Sequence, residues 1–311
     1  GRAGATTTTY LEATVSVATG THHRLVHASA RIDRAVVLHS REVAFREYPG
    51  TGVPLMLVHG VGSTSDGWEP AAELLAATGA RVIAVDLPGH GRSAKGQGDY
   101  SLGAMASTLR DLLDVLEIPR AVIVGHSLGG GIALQFTYQF PERCAGLVLV
   151  ASGGLGAETN MALRLMSMPG AGVVLKLGLT ERTISMLQRL RRVVTRVGAE
   201  PRFLSEAVLT KLARLSTADH RQSFLMTLRS VVDHSGQRVS ALEKLHLSGD
   251  GPVLIVWGAK DGIIPLAHGE NAHVQLPGSQ FEVFDESGHE PHRSEPERFA
   301  ELVASWHDRN F

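Results

Sequence analysis

The sequence predicts an α/β protein with a mostly parallel, roughly eight-stranded sheet and helices on both faces. Short apolar, β-branched runs, typical of buried strands, alternate with segments whose apolar residues recur every three or four positions, as in helices. Such alternation implies parallel strands joined by helical crossovers. The chain has 311 residues, 43% of them hydrophobic and 20% charged, which is enough for one large domain with an insertion.

Eight segments are predicted as strands, the first two forming an antiparallel hairpin. In chain order they are residues 34–39, 42–48, 54–59, 81–86, 121–125, 146–151, 252–257 and 280–284. The clearest helix is expected to begin after Ser101, a favourable N-cap, and to end before Pro119. Further helices are predicted over residues 130–140 and 295–306.

The strand pattern divides the chain into four regions. Residues 1–30 are rich in Thr and Ala and are expected to form a loosely ordered extension. Residues 31–155 and 249–311 form the two parts of the α/β core. The segment between them, residues 156–248, is helix-like and is predicted to be a cap or lid inserted into the sheet order.

The predicted insertion differs from the core in charge. It holds 14 Lys or Arg against 7 Asp or Glu, a net charge of +7, whereas the whole chain carries −1. Two interpretations are open: a solvated face on amphipathic helices, or a basic lid that attracts anionic substrates or interfaces. The nearly neutral total argues against a nucleic-acid partner. No apolar run reaches the roughly 18–20 residues of a membrane span, so stable insertion into a bilayer is not expected.

The sequence carries few signals for the cellular compartment or the oligomeric state. A single cysteine, Cys144, excludes an internal disulfide framework. We expect a cytoplasmic protein and leave secretion open, because the first residue is Gly rather than Met. The oligomeric state is not predicted.

The pentapeptide Gly125-His126-Ser127-Leu128-Gly129 is the strongest functional signal. It follows a β-branched run and opens a helix-forming stretch, which is the context in which G-x-S-x-G exposes a nucleophilic serine on a sharp turn. The two flanking glycines are expected because a Cβ there would strike the turn or the helix. The sequence therefore predicts Ser127 as a nucleophile, against the alternative of an ordinary Gly-rich turn.

A serine nucleophile needs a base that is itself oriented by a third group. Asp261 and His289 each follow a predicted strand, so both should reach the carboxyl edge of the sheet, where catalytic groups of open α/β sheets gather. We predict His289 as the general base and Asp261 as the residue that orients it. The alternatives are His292 in the same loop, and Asp285 or Asp250 for the acid.

Backbone donors are predicted on both sides of Ser127. The N–H of Leu128, directly after the nucleophile, and the N–H of Val61, in the Gly-rich loop after the strand 54–59, should stabilise a developing oxyanion. The alternative is that the glycines of this loop only make a turn.

These motifs together resemble the α/β-hydrolase fold superfamily over residues 34–311. The five that carry the resemblance occur in the family's order: His59-Gly60-Val61-Gly62, Asp86-Leu87-Pro88-Gly89-His90-Gly91-Arg92-Ser93, Gly125 to Gly129, Trp257 to Asp261, and Ser287-Gly288-His289. The resemblance implies a helical cap over the active site and no requirement for a metal or an organic cofactor.

Within that superfamily, Ser127 argues against the members with an aspartate nucleophile, the epoxide hydrolases and haloalkane dehalogenases. Serine members include esterases and lipases, cofactor-free haloperoxidases or perhydrolases, and carbon–carbon bond hydrolases of aromatic degradation. The last group is disfavoured by Glu290 after His289 and by the loop at Val61, although Gly153-Gly154-Leu155-Gly156 resembles it. The leading prediction is a serine carboxylic-ester hydrolase acting on a small-molecule ester. A non-catalytic receptor and an interfacial lipase with a basic cap are the other hypotheses.

Apolar residues of the insertion are expected to line a substrate pocket, since methionine fills irregular spaces. Ordinary helix packing is the alternative interpretation. The substrate-binding candidates are Gly60, His126, Leu155, Met161, Met166 and Ile263.

Overall fold

The sheet of the protein contains eight long strands, as the sequence predicts. A computed structural model describes residues 8–9, 30–196, 206–247 and 251–311. The strands are β1 (Ile32–Leu38), β2 (Arg41–Tyr48), β3 (Thr51–Val58), β4 (Ala80–Val85), β5 (Ala121–His126), β6 (Cys144–Val150), β7 (Val253–Gly258) and β8 (Gln280–Phe284). A two-residue segment, Thr8–Thr9, pairs with the outer edge of β1 and adds a ninth, very short strand.

The strand order places the predicted nucleophile near the middle of the sheet. The order is β1-β2-β4-β3-β5-β6-β7-β8. Pairs β1–β2 and β2–β4 are antiparallel, and all pairs from β4 to β8 are parallel. From β3 the chain moves outward to β4, and it then returns to place β5 on the opposite side of β3. The crevice at such a switch point is where open α/β sheets bind ligands.

Helices cover both faces of the sheet. They are α1 (Glu69–Ala77), α2 (Leu102–Val115), α3 (Leu128–Gln139), α4 (Met161–Ser167), α5 (Ala171–Gly178), α6 (Glu181–Arg196), α7 (Glu206–Leu215), α8 (Ala218–Val231), α9 (Leu266–Gln275), α10 (Pro291–Ser294) and α11 (Pro296–Asn310). One core lies between the sheet and helices α2, α3 and α9, and a second lies between the sheet and helices α1 and α11. The all-parallel half is therefore buried on both faces, which explains its continuous apolar strands.

The element boundaries follow local signals. The Ser101 hydroxyl accepts a hydrogen bond from Ala104 N at 3.3 Å and caps α2, as expected. A positive φ of 54° at Glu117 turns the chain away before Pro119. Helix α3 begins at Leu128, two residues earlier than predicted. Most of the predicted extension over residues 1–30 lies outside the described residues, as do residues 248–250 at the predicted boundary between the insertion and the second part of the core.

The segment between β6 and β7 contains helices α4 to α8, as predicted, but also a short hairpin that the sequence does not predict. Val232–Asp233 pairs with Gly236–Gln237. Hydrogen bonds attach this segment to the core: Asn160 N donates to the Ile263 carbonyl at 2.9 Å, and Asn160 Nδ2 donates to the Gly262 carbonyl at 2.9 Å. The insertion is thus fastened directly to the loop that follows β7.

The carboxylate of Asp86, at the end of β4, braces the loops after β3 and β4. Its Oδ1 accepts a hydrogen bond from Ser65 N at 2.7 Å, and its Oδ2 accepts one from Arg92 N at 2.9 Å. A Cβ at Gly91, where φ is +51°, would lie 2.3 Å from the Asp86 carboxyl carbon. Burial alone would raise the pKa of Asp86, but these backbone donors hold the pKa below its usual value.

Replacing Asp86 with Asn should destabilise the fold by about 2 kcal/mol at neutral pH, because one buried N–H then faces an amide donor. The wild-type free energy of unfolding should fall as pH drops below the unfolded-state pKa of Asp, since the folded-state pKa is lower and the unfolded chain takes up the proton first. The variant should lose this part of the pH dependence. Urea unfolding of both proteins at several pH values between neutral and acidic measures this dependence. An equal change of the free energy of unfolding with pH in the two proteins would contradict the proposed role of the Asp86 carboxylate.

Candidate active site

The turn between β5 and α3 holds Ser127 in a strained conformation. Its φ is 54° and its ψ is −117°, in a region that residues with a side chain rarely adopt. The turn is closed by glycines: a Cβ at Gly125 would lie 2.2 Å from the Gly129 carbonyl oxygen, and one at Gly129 would lie 2.1 Å from the Val58 carbonyl oxygen. The Ser127 hydroxyl does not cap α3. The predicted elbow is therefore present, and its hydroxyl is not used to cap the helix.

Two backbone donors flank Ser127. The Leu128 N–H lies in the first turn of α3, where helix N–H groups have no intrahelical partner. The loop after β3 makes a tight turn in which Ser63 N donates to the Gly60 carbonyl at 3.1 Å and Gly62 has a φ of +69°. Within the described ranges, neither the Leu128 N–H nor the Val61 N–H donates to another group. Both are available to a ligand beside Ser127.

The loop after β3 lies directly against the elbow. A Cβ at Gly60 would lie 3.1 Å from Ser127 Cβ and 3.1 Å from His126 Nδ1. A side chain at position 60 would require the loop or these two side chains to shift by a few tenths of an ångström. The glycine therefore allows the loop to lie close to the elbow without such a shift.

The Asp261 carboxylate holds the imidazole of His289. The Asp261 side chain is fully buried, and its Oδ2 lies 2.8 Å from His289 Nδ1. Its Oδ1 accepts hydrogen bonds from Ile263 N at 2.8 Å and Ile264 N at 3.0 Å. Because a carboxylate only accepts, Nδ1 of His289 must carry the proton, which leaves Nε2 as the basic nitrogen.

The two loops that carry this pair are packed together without side chains between them. A Cβ at Gly258 would lie 2.0 Å from the Gly288 carbonyl oxygen. Lys260 N donates to the Ser287 carbonyl at 2.9 Å, and the Ser287 hydroxyl is itself bonded to Ser294 Oγ at 2.7 Å. The loops after β7 and β8 are thus packed and hydrogen-bonded directly to each other.

His126 connects the elbow to the His289 loop. Its Nε2–H donates to the His289 carbonyl at 2.8 Å, and the two rings lie 4.8 Å apart, centroid to centroid. Burial, together with the neighbouring imidazoles of His292 and His289, holds the pKa of His126 well below its usual value. A neutral His126 therefore ties the His289 loop to the elbow without adding a charge.

The rival histidine of the sequence analysis, His292, occupies a different environment. Its ring packs on Trp68 at 4.2 Å and on His126 at 4.6 Å. Burial is the main reason that its pKa falls to about 3. Asp261 is bonded to His289 and not to His292. His292 packs behind the site rather than facing Asp261.

A cavity that is partly open to solvent lies beside the elbow, with about 480 Å³ of empty space including the open part. Ser127 lines it together with the two predicted donor residues, Val61 and Leu128. The remaining lining residues are mostly apolar and none is charged. They are Leu102, Gly131, Gly153, Gly154, Thr159, Leu163, Leu228, Val231, Val232, Gln237, Val239 and Ile264. The cavity brings the candidate nucleophile, the candidate oxyanion donors and the insertion to one place.

The substrate-binding candidates of the sequence analysis lie around this cavity rather than on its wall. Gly60 and His126 pack against the elbow, and Leu155 is buried in the main core. Met161 is 58% exposed. The other two, Met166 and Ile263, pack against hydrophobic clusters.

Several wall residues come from parts of the chain with no motif. Ile264 directly follows the candidate Ile263, and Leu163 lies two residues after the candidate Met161. Gln237 belongs to the unpredicted hairpin, and its Oε1 accepts a hydrogen bond from Gly154 N at 2.7 Å. No local sequence signal identifies Gln237, because its role depends on a contact between segments 83 residues apart.

Ion pairs join helix α7 of the insertion to the rim of the site. Lys211 Nζ lies 2.6 Å from Glu290 Oε1, and Arg214 Nη2 lies 2.7 Å from Asp66 Oδ2. Burial would raise the pKa of Glu290, but Lys211 and Arg293 hold it far below its usual value. Glu290 follows His289 directly, so these contacts anchor α7 next to the candidate base.

Metal-binding clusters and membrane-spanning helices are both absent from the described ranges. There, no group of three or more His, Cys, Asp or Glu side chains is placed to hold a metal ion. No helix of that part of the chain is both long and apolar enough to cross a bilayer.

The family of the chain follows from its match to known sequences. The model of the alpha/beta hydrolase fold family matches residues 53–296, so the chain belongs to this family. An uncharacterized protein of Mycobacterium tuberculosis is 40% identical, covering 87% of this chain and 80% of its own length. A 2-hydroxy-6-oxononadienedioate/2-hydroxy-6-oxononatrienedioate hydrolase of Paraburkholderia phymatum is 32% identical, covering 80% of this chain and 85% of its own length.

Solved structures of hydrolases share the fold. A meta-cleavage product hydrolase from Pseudomonas fluorescens is similar with a TM-score of 0.69 and 21% identity, covering 88% of this chain and 97% of that one. An esterase from Exiguobacterium antarcticum is similar with a TM-score of 0.67 and 22% identity, with the same coverage. At this level of identity the two similarities show the fold alone.

Replacing Gly125 with Ala should destabilise the protein by at least about 3 kcal/mol, because the new Cβ meets backbone that cannot move without opening the elbow. The matched control is Gly278→Ala, since a Cβ there has no heavy atom within 4 Å. Thermal and urea unfolding of both variants measure the difference. Equal stability of the two variants would contradict the described packing of the elbow.

Proposed function

We propose that the protein is a serine hydrolase that cleaves carboxylic esters through an acyl-enzyme. The observation that carries the proposal is the hydrogen bond of 2.8 Å between His289 Nδ1 and the buried Asp261 carboxylate, in a loop tied by His126 to the Ser127 elbow. A hydroxyl on a strained turn, a base with its tautomer fixed and free backbone donors are the parts that acyl transfer requires.

In the proposed mechanism, Ser127 Oγ attacks the ester carbonyl while His289 Nε2 takes its proton. The carbonyl oxygen becomes an oxyanion that accepts hydrogen bonds from the N–H groups of Leu128 and Val61. Protonated His289, stabilised by Asp261, then gives the proton to the leaving alkoxide, and the acyl group stays on Ser127. Water, deprotonated by His289, then attacks the acyl-enzyme carbonyl; the bond to Ser127 Oγ breaks, His289 returns the proton to Oγ, and the acid leaves.

The cavity supports an apolar acyl or alkyl group as the recognised part of the substrate. Its lining residues carry no charge, and Leu163, Leu228 and Val231 contribute aliphatic side chains from the insertion. Gln237 is a polar side chain on the wall, but its Oε1 is already bonded to Gly154 N. A small to medium apolar substrate therefore fits the wall chemistry better than an anionic one.

A carbon–carbon bond hydrolase is the second candidate. It is favoured by the 32% identity to the Paraburkholderia phymatum hydrolase, whose name specifies a dioate substrate. The uncharged wall of the cavity disfavours this candidate, because a buried carboxylate needs a charged or multiply donating partner. The same Ser127, Asp261 and His289 would serve in both reactions.

The Ser127→Ala variant should lose at least about 10⁴-fold in kcat on p-nitrophenyl butyrate, because the bond-forming atom is removed. Asp261→Asn should lose about 10⁴-fold, since the amide stabilises the wrong tautomer of His289. His292→Gln, three residues beyond His289 in α10, is the matched control and should stay within about tenfold, because Asp261 is bonded to His289 and not to His292.

A fluorophosphonate probe followed by mass spectrometry should label Ser127 in the wild type. Labelling at another residue, or full turnover by Ser127→Ala, would overturn the mechanism. Turnover of a vinylogous diketone with negligible activity on esters would replace the ester proposal with the carbon–carbon bond reaction.

The Leu163→Trp variant should shorten the accepted acyl chain, because the larger ring fills the cavity beside Ser127. We expect kcat/KM for a p-nitrophenyl octanoate to fall at least about tenfold and that for the acetate to change less than about threefold. Leu165→Trp is the matched control, since Leu165 lies on the same helix and is 58% exposed. Equal effects on both esters would show that the cavity does not hold the acyl group.

A further inference from the structure

The exposed apolar side chains of the protein are concentrated in one stretch of the insertion. Within the described ranges, thirteen large hydrophobic side chains are exposed, and nine of them lie between residues 161 and 193. On α5, Val174 and Leu177 are 70% and 73% exposed. Isolated exposed apolar residues are ordinary, but a concentration of this size marks an interaction surface.

Helix α6 orders these side chains into a stripe. Met186, Leu190 and Val193 are spaced four and three residues apart, so they share one face, and all three are exposed. Ile184, on the opposite face, is the buried apolar residue of the helix. The helix is therefore apolar on the side that faces away from the protein, which its own packing does not explain.

Arginines flank the stripe on the same face. Arg182, Arg189 and Arg196 are seven residues apart and fall beside Met186 and Val193 on the helix. All three are exposed, and none forms an ion pair with another described residue. Over residues 161–196 the chain holds seven Lys or Arg and a single Asp or Glu, which is Glu181. By contrast, the basic residues of α7 are used internally, as Lys211 and Arg214 bind core carboxylates.

An apolar stripe flanked by arginines matches one class of partner. Apolar side chains at the level of lipid headgroups enter the boundary of the acyl chains, while the flanking arginines meet anionic phosphates. We propose that the exposed face of α5 and α6 docks on a membrane surface that contains anionic phospholipid. The insertion lies on the bilayer in this proposal and does not span it.

Two other occupants fit the charge of the face less well. A two-fold dimer through this face would pair the surface with itself and would set the arginines of one copy against those of the other. The N-terminal segment, residues 1–29, holds two arginines and one glutamate, so it offers little negative charge to the stripe. An anionic lipid surface supplies both the apolar layer and the negative charge.

The proposed face and the cavity are connected through α4. Leu163 lines the cavity beside Ser127, whereas Leu165, two residues on, is exposed at 58%. A docked insertion would therefore set the cavity near the lipid layer that holds apolar esters. Docking itself does not depend on the proposed function, since lipid binding can be measured on a protein that hydrolyses nothing.

The test is sedimentation of the full chain with vesicles, either of phosphatidylcholine alone or with a quarter of phosphatidylglycerol. The wild type should bind the anionic vesicles and lose binding as salt rises from about 0.05 M to about 0.5 M. The triple variant Arg182→Gln, Arg189→Gln, Arg196→Gln should bind about a hundredfold more weakly, since each arginine near an anionic surface contributes about a factor of five. The triple variant Met186→Ser, Leu190→Ser, Val193→Ser should also lose binding.

The matched control carries Arg120→Gln and Val274→Ser, which remove an exposed arginine and an exposed valine elsewhere, and should bind like the wild type. Thermal melting confirms that each variant is folded. Absence of wild-type binding to anionic vesicles would overturn the proposal. A wild-type dimer that dissociates in the Met186→Ser, Leu190→Ser, Val193→Ser variant would also overturn it, because a second copy would then be the occupant of the face. Vesicle binding that arises only after removal of residues 1–29 would overturn it as well, because that segment would then be the occupant.

Discussion

At the Ser127 turn, backbone segments pack directly against each other with no side chain between them, and the rest of the site depends on this contact. Gly125 and Gly129 allow β5, α3 and the end of β3 to meet at distances that no side chain permits. This contact holds the loop with Val61 beside the start of α3, so that Val61 and Leu128, from two separate segments, line the same cavity. The strained conformation of Ser127 is maintained because β5, which leads into the turn, is held by strand pairing on both sides.

The second half of the site is built in the same way, two strands further along the sheet. Gly258 allows the His289 loop to pass over the end of β7, and the Asp261 carboxylate then receives the imidazole. His126 joins the two halves, since its Nε2–H reaches the His289 carbonyl from the elbow itself. Buried neutral histidines and satisfied carboxylate oxygens keep this junction free of uncompensated charge.

The sheet and the positions of Ser127, Asp261 and His289 are predictable because their signals are local. Each lies in a short motif directly after an apolar strand, and parallel strands bring their carboxyl ends to one edge. The cavity wall is not predictable in this way. Periodicity identifies the apolar residues of α4, Met161 and Leu163 among them, but does not tell which face meets the core. Leu163 lines the cavity, whereas Met161 is exposed. Gln237 has no local signal at all, because its contact with Gly154 crosses from the insertion to the core.

The bond between Gln237 and Gly154 has a consequence for how this fold diversifies. The neighbouring Gly153 N–H donates to the Ser127 carbonyl at 2.8 Å, so one short peptide links the nucleophile turn to the hairpin of the insertion. A protein in which the whole insertion is replaced would therefore lose support for the Ser127 turn, unless the new segment supplies an acceptor for the Gly154 N–H. A transplanted insertion therefore needs an acceptor for the Gly154 N–H as well as loops of matching length.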